Sequence, residues 1–149
     1  MSSEARPIKS GADKDESAVI KRLLAANRVA VVGASDDPAR AGNYVPEYFL
    51  SAGKQMLPVN PNHQEVLGQR CYRSLAEVPQ PIDLVNVFRR PAACADIVRE
   101  AIAAGAKGVW LQSGITNDEA RRLAEEAGLD FVQDRCIMVE HRRSQMTKA

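Results

Sequence analysis

An apolar, β-branched run, Arg28-Val-Ala-Val-Val-Gly-Ala-Ser35, ends in small residues and is followed by a polar loop and a helix signature near Gly42-Asn43. That is the pattern of a buried strand running into a turn that can hold a phosphate. Gly33 permits a positive φ and lets an anion approach the backbone, Ala34 keeps the turn small, and Ser35 offers a hydroxyl. Arg40 adds a fork of N–H donors. The spacing is not GxGxxG, and the same residues also suit a tight strand-to-helix turn with no ligand. Phe88-Arg89-Arg90-Pro91 is a second anion-binding candidate, because arginines before a helix start can clamp a diphosphate. Arg89 takes that role, and Arg90 reads as a solvated surface charge. Between these segments lies Pro58-Val59-Asn60-Pro61. A NAD-binding domain usually has an acidic residue at this point to grip the ribose. Asn60 removes that carboxylate and its repulsion, which favours a nucleotide with an extra ribose phosphate. The turn also reads as a rigid loop without a ligand.

Further along, Gln112-Ser113-Gly114-Ile115 combines polar groups with a flexible backbone, suited to hydrogen-bonding an amide-rich chain. Trp110 just before it reads as core. Cys136, Glu140 and His141 could act as nucleophile, orienter and base. The plainer reading makes Cys136 a small neutral wall and the other two loop anchors, because nothing supplies an oxyanion site. His63 is a lone loop histidine and carries no metal assignment.

The elements that must position these residues follow from periodicity. Residues 1–14 read as a disordered tail and 15–143 as a single domain, with 144–149 a loose C-terminal tail. A helix from Asp15 carries the stripe Val19, Ile20, Leu23 and Leu24, with Asn27 as its C-terminal cap. Strands are expected at 28–33, 55–60, 82–88, 108–112 and 129–133. A helix over 43–53 has Pro46 in its first turn, another runs from Pro91 to Gly105, and a third is capped by Thr116 and Glu119 and ends at Gly128. The stretch 62–80 reads as irregular, with a small turn capped by Ser74 and Glu77. The segment 134–141 reads as a loop, and the chain from Arg142 as loose and basic. Strands alternating with helices require a parallel sheet with right-handed crossovers, hence a Rossmann-like, doubly wound, mainly parallel five-stranded α/β fold. Ligands bind such sheets at the carboxyl ends of the strands.

Composition narrows the function classes. The chain has 149 residues and a net charge of +1, so no global field recruits nucleic acid or an acidic membrane. No apolar stretch is long enough to span a bilayer, and the first residues lack a signal-peptide core. The three cysteines, Cys71, Cys94 and Cys136, have no CxxC spacing and read as reduced cytoplasmic thiols.

GASDDPAR, PVNPNHQEVLGQRCYRSLAEVP, DLVNVFRRP, EAIAAGAKGVWLQSGITNDEA and AGLDFVQDRCIMVEH, taken in order, resemble the stand-alone CoA-binding protein family. That family is similar to the CoA-binding domain of the succinyl-CoA synthetase α subunit. The resemblance covers residues 15–143 and implies coenzyme A or an acyl-CoA held across the strand ends. It assigns Gly33, Ala34, Ser35 and Arg40 to the phosphates, and Val59, Asn60 and Pro61 to the adenosine end. Phe88 and Arg89 would support the diphosphate, Gln112, Gly114 and Ile115 would follow the pantetheine, and Cys136 would lie in the final loop. In the synthetase a second domain carries the phosphorylated histidine and a partner subunit completes the reaction. Here the resemblance therefore implies small-molecule binding without catalysis, alone, as a homo-oligomer or with a protein partner. An NAD(P)-binding redox domain and an acyl-transfer enzyme using Cys136 remain the alternatives.

Overall fold

A computed structural model of the protein describes residues 16–148. The expected tail 1–14 and the expected helix start at Asp15 lie outside those residues. The first helix, α1, covers 16–24 and leads into β1 (Arg28–Val32), α2 (Ala41–Ser51) and β2 (Gln55–Val59). A short hairpin follows, β3 (Glu65–Val66) and β4 (Gln69–Arg70), and then a 3₁₀ turn at Leu75–Glu77. Next come β5 (Leu84–Val87), a 3₁₀ turn at Pro91–Ala93 running into α3 (Cys94–Ala103), and β6 (Gly108–Leu111). The last elements are α4 (Asp118–Glu126), β7 (Asp130–Val132) and α5 (Ile137–Lys148).

The main sheet is five-stranded in the order β2-β1-β5-β6-β7, with every pairing parallel. This is the expected doubly wound, Rossmann-like architecture. Continuous apolar runs such as Leu84–Val87 and Gly108–Leu111 are fully buried, because helices cover both faces of the sheet. Ala30, Val85, Val87, Val109 and Leu111 pack against Ile97, Val98, Ala120 and Ala124 of α3 and α4. Val29, Val31, Leu84 and Trp110 face Leu23, Val45, Phe49 and Ile137 of α1, α2 and α5. Each large side chain buried in this way, Phe49 or Leu111 for example, contributes roughly 1.5–3 kcal/mol. The chain changes face between β1 and β5, and that switch point sets where a ligand can sit.

Several local expectations need correction. The helix expected over 43–53 begins at Ala41, so Pro46 stands in its second turn. Asn27 is not the cap of α1; the Lys54 ammonium donates to the Leu24 and Ala26 carbonyls at 2.8 and 2.6 Å instead. A cation suits the negative end of a helix, although burial pulls the Lys54 pKa below the ordinary lysine range against the attraction of Asp83. The Ser74/Glu77 capping box does not form, and the Glu77 carboxylate accepts from the Arg73 N–H at 3.3 Å. The cap of α4 is Asn117 rather than Thr116, accepting from the Ala120 N–H at 2.8 Å. Residues from Ile137 onward, expected as a loop and a loose tail, form α5 through Lys148.

At the amino ends of the strands, Asp83 ties β1 to the start of β5. Its carboxylate accepts from the Arg28 and Asn27 N–H groups at 2.9 and 3.2 Å, and Lys107 lies 3.6 Å away. These bonds, the Arg28 amide first, outweigh burial and hold the Asp83 carboxyl below its usual range. A carboxyl with a depressed folded pKa adds stability above its unfolded value, and loses it as pH falls through the folded one. Asp83→Asn should therefore be less stable than the parent at pH 7 in urea unfolding. The gap should narrow once the pH drops below about 4.

Candidate functional site

The loops after the strands converge at the switch point, and Gly33 is where they touch. Its φ is +90°, its N–H donates to the Val59 carbonyl at 3.0 Å, and a Cβ here would lie 2.8 Å from the Phe88 carbonyl oxygen. The backbones leaving β1 and β5 therefore approach as closely as only glycine permits. Gly42 seals the other side, since a Cβ there would lie 2.6 Å from the Gly33 carbonyl oxygen.

Hydrogen bonds clasp the loop between β1 and α2. The Ser35 N–H donates to the Gly42 carbonyl at 3.1 Å. That carbonyl is available because Pro46, four residues on, has no N–H to occupy it. The Asn43 amide donates to the Ser35 carbonyl at 2.8 Å, and the Asn60 amide to the Ala34 carbonyl at 2.9 Å. Asn60 also accepts from the Asn62 N–H at 2.8 Å. Asn60 thus joins the loops after β1 and β2 and does more than vacate the position of a carboxylate. The Ser35 hydroxyl accepts from the Asp37 N–H at 3.0 Å and keeps its own proton for donation.

A cleft of about 1030 Å³ opens over these loops. It brings together Gly33, Ser35, Arg40, Asn60, Phe88, Arg89, Gln112, Ile115 and Cys136 of the residues singled out from sequence. Ala34 and Val59 are instead buried in the core, and Pro61 and Gly114 are exposed outside the cleft. The Gly114 N–H is held by the Asp134 carboxylate at 2.7 Å. Sequence reasoning gave no site role to Asp36, Asp37, Gly42 or Tyr44, named Ser113 only within the polar run after β6, and set aside His63 and Arg90; all of them line the same space. For Arg90, exposure and a place on the cleft wall coexist.

Sheet order arranges the lining. Asn60 and His63 stand beyond β2, and the Asp36 carboxylate lies 3.7 Å from the His63 ring. Gly33, Ser35, Arg40, Arg89 and Arg90 occupy the middle, and Gln112, Ser113, Ile115 and Cys136 the side of β6 and β7. Arg40 lies 3.6 Å from Asp37, both well exposed, a pair worth little in water. Among the described residues Arg89 and Arg90 have no acidic partner.

Gln112 is nearly all buried, and its carbonyl oxygen accepts from the Ile137 N–H and the Asn86 amide, each at 3.1 Å. A backbone N–H can only donate, which fixes the orientation of the Gln112 amide and makes Asn86 present its NH₂. Among the described residues, Asn86 Oδ1 is left buried with no partner. Gln112 therefore caps α5, and only its NH₂ can serve a ligand. The Trp110 indole donates to the Arg135 carbonyl at 2.7 Å and pins the loop that carries Cys136. Cys136 is half-buried, and its carbonyl accepts the first-turn N–H of Glu140 at 3.1 Å. The His141 ring meets the Tyr48 hydroxyl at 2.7 Å, and Glu140 pairs with Arg135 and Arg143. These contacts hold α5 against its neighbours and do not turn either group onto the Cys136 sulfur. Burial pushes the thiols of Cys71 and Cys94 up.

A family model described as a CoA binding domain matches residues 27–142. The uncharacterized protein YneT of Bacillus subtilis (strain 168) is 40% identical over 125 residues, covering 83% of this chain and 93% of its own. The ADP-forming acetate–CoA ligase I of Archaeoglobus fulgidus is 27% identical over 128 residues, and the match spans 79% of this chain but only 19% of the ligase. A solved structure of a hypothetical protein from Pyrococcus horikoshii OT3 superposes with a TM-score of 0.81 at 41% identity, covering 86% of this chain and 90% of that one.

Gly42 provides a sign test of this packing. Alanine is ordinarily better than glycine in a helix by about 1 kcal/mol. Here the added Cβ would collide with the Gly33 carbonyl, so Gly42→Ala should destabilise the protein by about 1–3 kcal/mol in urea unfolding. A more stable variant would mean that the loop and helix are not packed in this way.

Proposed function

The chain belongs to the CoA-binding domain family, and from that membership we propose that it holds coenzyme A, or an acyl ester of it, across the carboxyl ends of its strands. Arg89 and Arg90 carry this reading: two cations without acidic partners among the described residues, beside a backbone that Gly33 opens to close approach. Both side chains are exposed to the cleft, and a diphosphate offers the bidentate oxygens that their guanidinium groups match. The first N–H groups of α2, at Ala41 and Gly42, have no carbonyl four residues back within the helix and face the same demand. The nucleoside would extend toward Asn60 and His63 and the uncharged arm toward Ser113, Ile115 and Cys136. No catalytic role is assigned to Cys136, which in this reading is part of the wall.

One observation keeps a nicotinamide dinucleotide as the competitor. Asp36 brings a carboxylate to the β2 side of the cleft, where a ribose hydroxyl could be gripped. Against it, a carboxylate there would repel the ribose phosphate of coenzyme A only weakly, since its side chain is 68% exposed to water.

Thermal unfolding with coenzyme A, acetyl-CoA, NAD and NADP separates the two. Coenzyme A at 100 times its dissociation constant should add about 2.7 kcal/mol of stability, with NAD adding none. Arg89→Ala should weaken coenzyme A binding by about 1.5–3 kcal/mol at low salt, and by less as salt rises. Equal protection by NAD, or no protection by coenzyme A, would overturn the proposal.

A further inference from the structure

Large apolar side chains in this protein are mostly buried, but Tyr44 is 42% exposed and stands on the wall of the cleft. Among the described residues its hydroxyl has no hydrogen-bond partner. Nothing in the packing of α2 requires an aromatic ring at this position, because Val45 and Phe49 already fill the core beneath the helix.

Its place along the cleft follows from the helix. Tyr44 and Tyr48 are one turn apart on one face of α2. The Tyr48 hydroxyl meets the His141 ring at 2.7 Å, the two rings pack edge to face, and the Arg142 guanidinium lies 5.1 Å from the Tyr48 centroid. This face is therefore turned to α5, whose first residue is fixed by Gln112 at the end of β6. His63 and Asn60 belong to the opposite side, beyond β2. Arg40, the extended N-cap residue of α2, lines the same cleft as Tyr44. A chain leaving the arginine-lined middle toward β6 and β7 would pass Tyr44 and then meet Ile115 and Cys136, neither of which carries a formal charge.

We infer that Tyr44 recognises the uncharged, amide-bearing arm of the ligand, the pantetheine of coenzyme A, and takes no part in holding the base. This rests on the coenzyme A reading of the cleft. The ring face covers the methylene and methyl groups of the arm, and the phenol donates to an amide carbonyl. Specificity for a thiol-terminated arm over a second nucleoside would then originate at Tyr44.

Calorimetric titration of the parent protein, Tyr44→Ala and Tyr44→Phe tests it with coenzyme A, 4′-phosphopantetheine and adenosine 3′,5′-bisphosphate as probes. Tyr44→Ala should weaken coenzyme A and 4′-phosphopantetheine by a common factor of about ten while leaving the bisphosphate unchanged. Tyr44→Phe, which removes only the phenol's hydrogen bond, should keep the bisphosphate affinity and lose less than Tyr44→Ala with the two arm-bearing probes. Because the parent's binding of the bisphosphate is the internal reference, a misfolded variant would lose every probe together and be recognised as such; Tyr44→Phe then decides, through a loss confined to the two arm-bearing probes. Unchanged coenzyme A affinity in Tyr44→Ala, or a loss seen with the bisphosphate in a folded variant, would overturn the assignment to Tyr44 alone. A parent protein that binds none of the three would overturn the coenzyme A reading itself.

Discussion

The approach of the Gly33 backbone to the Phe88 carbonyl, with Gly42 closing on the other side, is the contact on which the rest of the structure depends. It brings the exits of β1 and β5 together at the point where the crossovers change face. Any side chain larger than hydrogen at either glycine would push the loop out over the space where an anion is expected. The arginines after β5 and the first turn of α2 can address one common volume only because these backbones are so close.

The loops around that contact are held by neutral amides. Asn43, Asn60, Asn86 and Gln112 each bond a backbone group or another amide of a neighbouring element. An amide both donates and accepts without bringing charge, so the net field of the cleft is left to the arginines and the exposed aspartates. Pro46 has a related effect, since its missing N–H releases the Gly42 carbonyl for Ser35. The network is not complete. Among the described residues, Asn86 Oδ1 is buried without a partner, a cost on the order of 1–3 kcal/mol.

The parallel sheet was legible in the sequence because its strands are buried on both faces and read as unbroken apolar runs. The cleft followed from the strand ends, which is how Gly33, Arg89 and Cys136 could be placed near each other from sequence. The hairpin at Glu65–Arg70 was not legible, because its turn puts Leu67 at φ 54°, where Asn or Asp would have been the signal. Helix α5 was hidden by its polar composition, which gives no stripe beyond its first residues. Thr116 and Asn117 are both good caps, and only the geometry chooses between them. Gln112 looked like a ligand donor because its role as a cap depends on Ile137, a contact that no spacing rule reveals. Tyr44 was passed over because nothing in its spacing separates a ring at a helix start that faces a cleft from one that faces solvent.

Where a ligand sits is read directly by amide chemical-shift mapping on the labelled protein. Adding coenzyme A should move the resonances of Gly33, Ser35, Gly42, Arg89, Arg90 and Ser113, the backbone groups around the switch point, while those of Asp83 and Lys107 at the far end of the sheet stay fixed. Shifts confined to the groove between α1 and α5, around Ile20, Leu24 and Ser144, or no shifts at all, would contradict this placement.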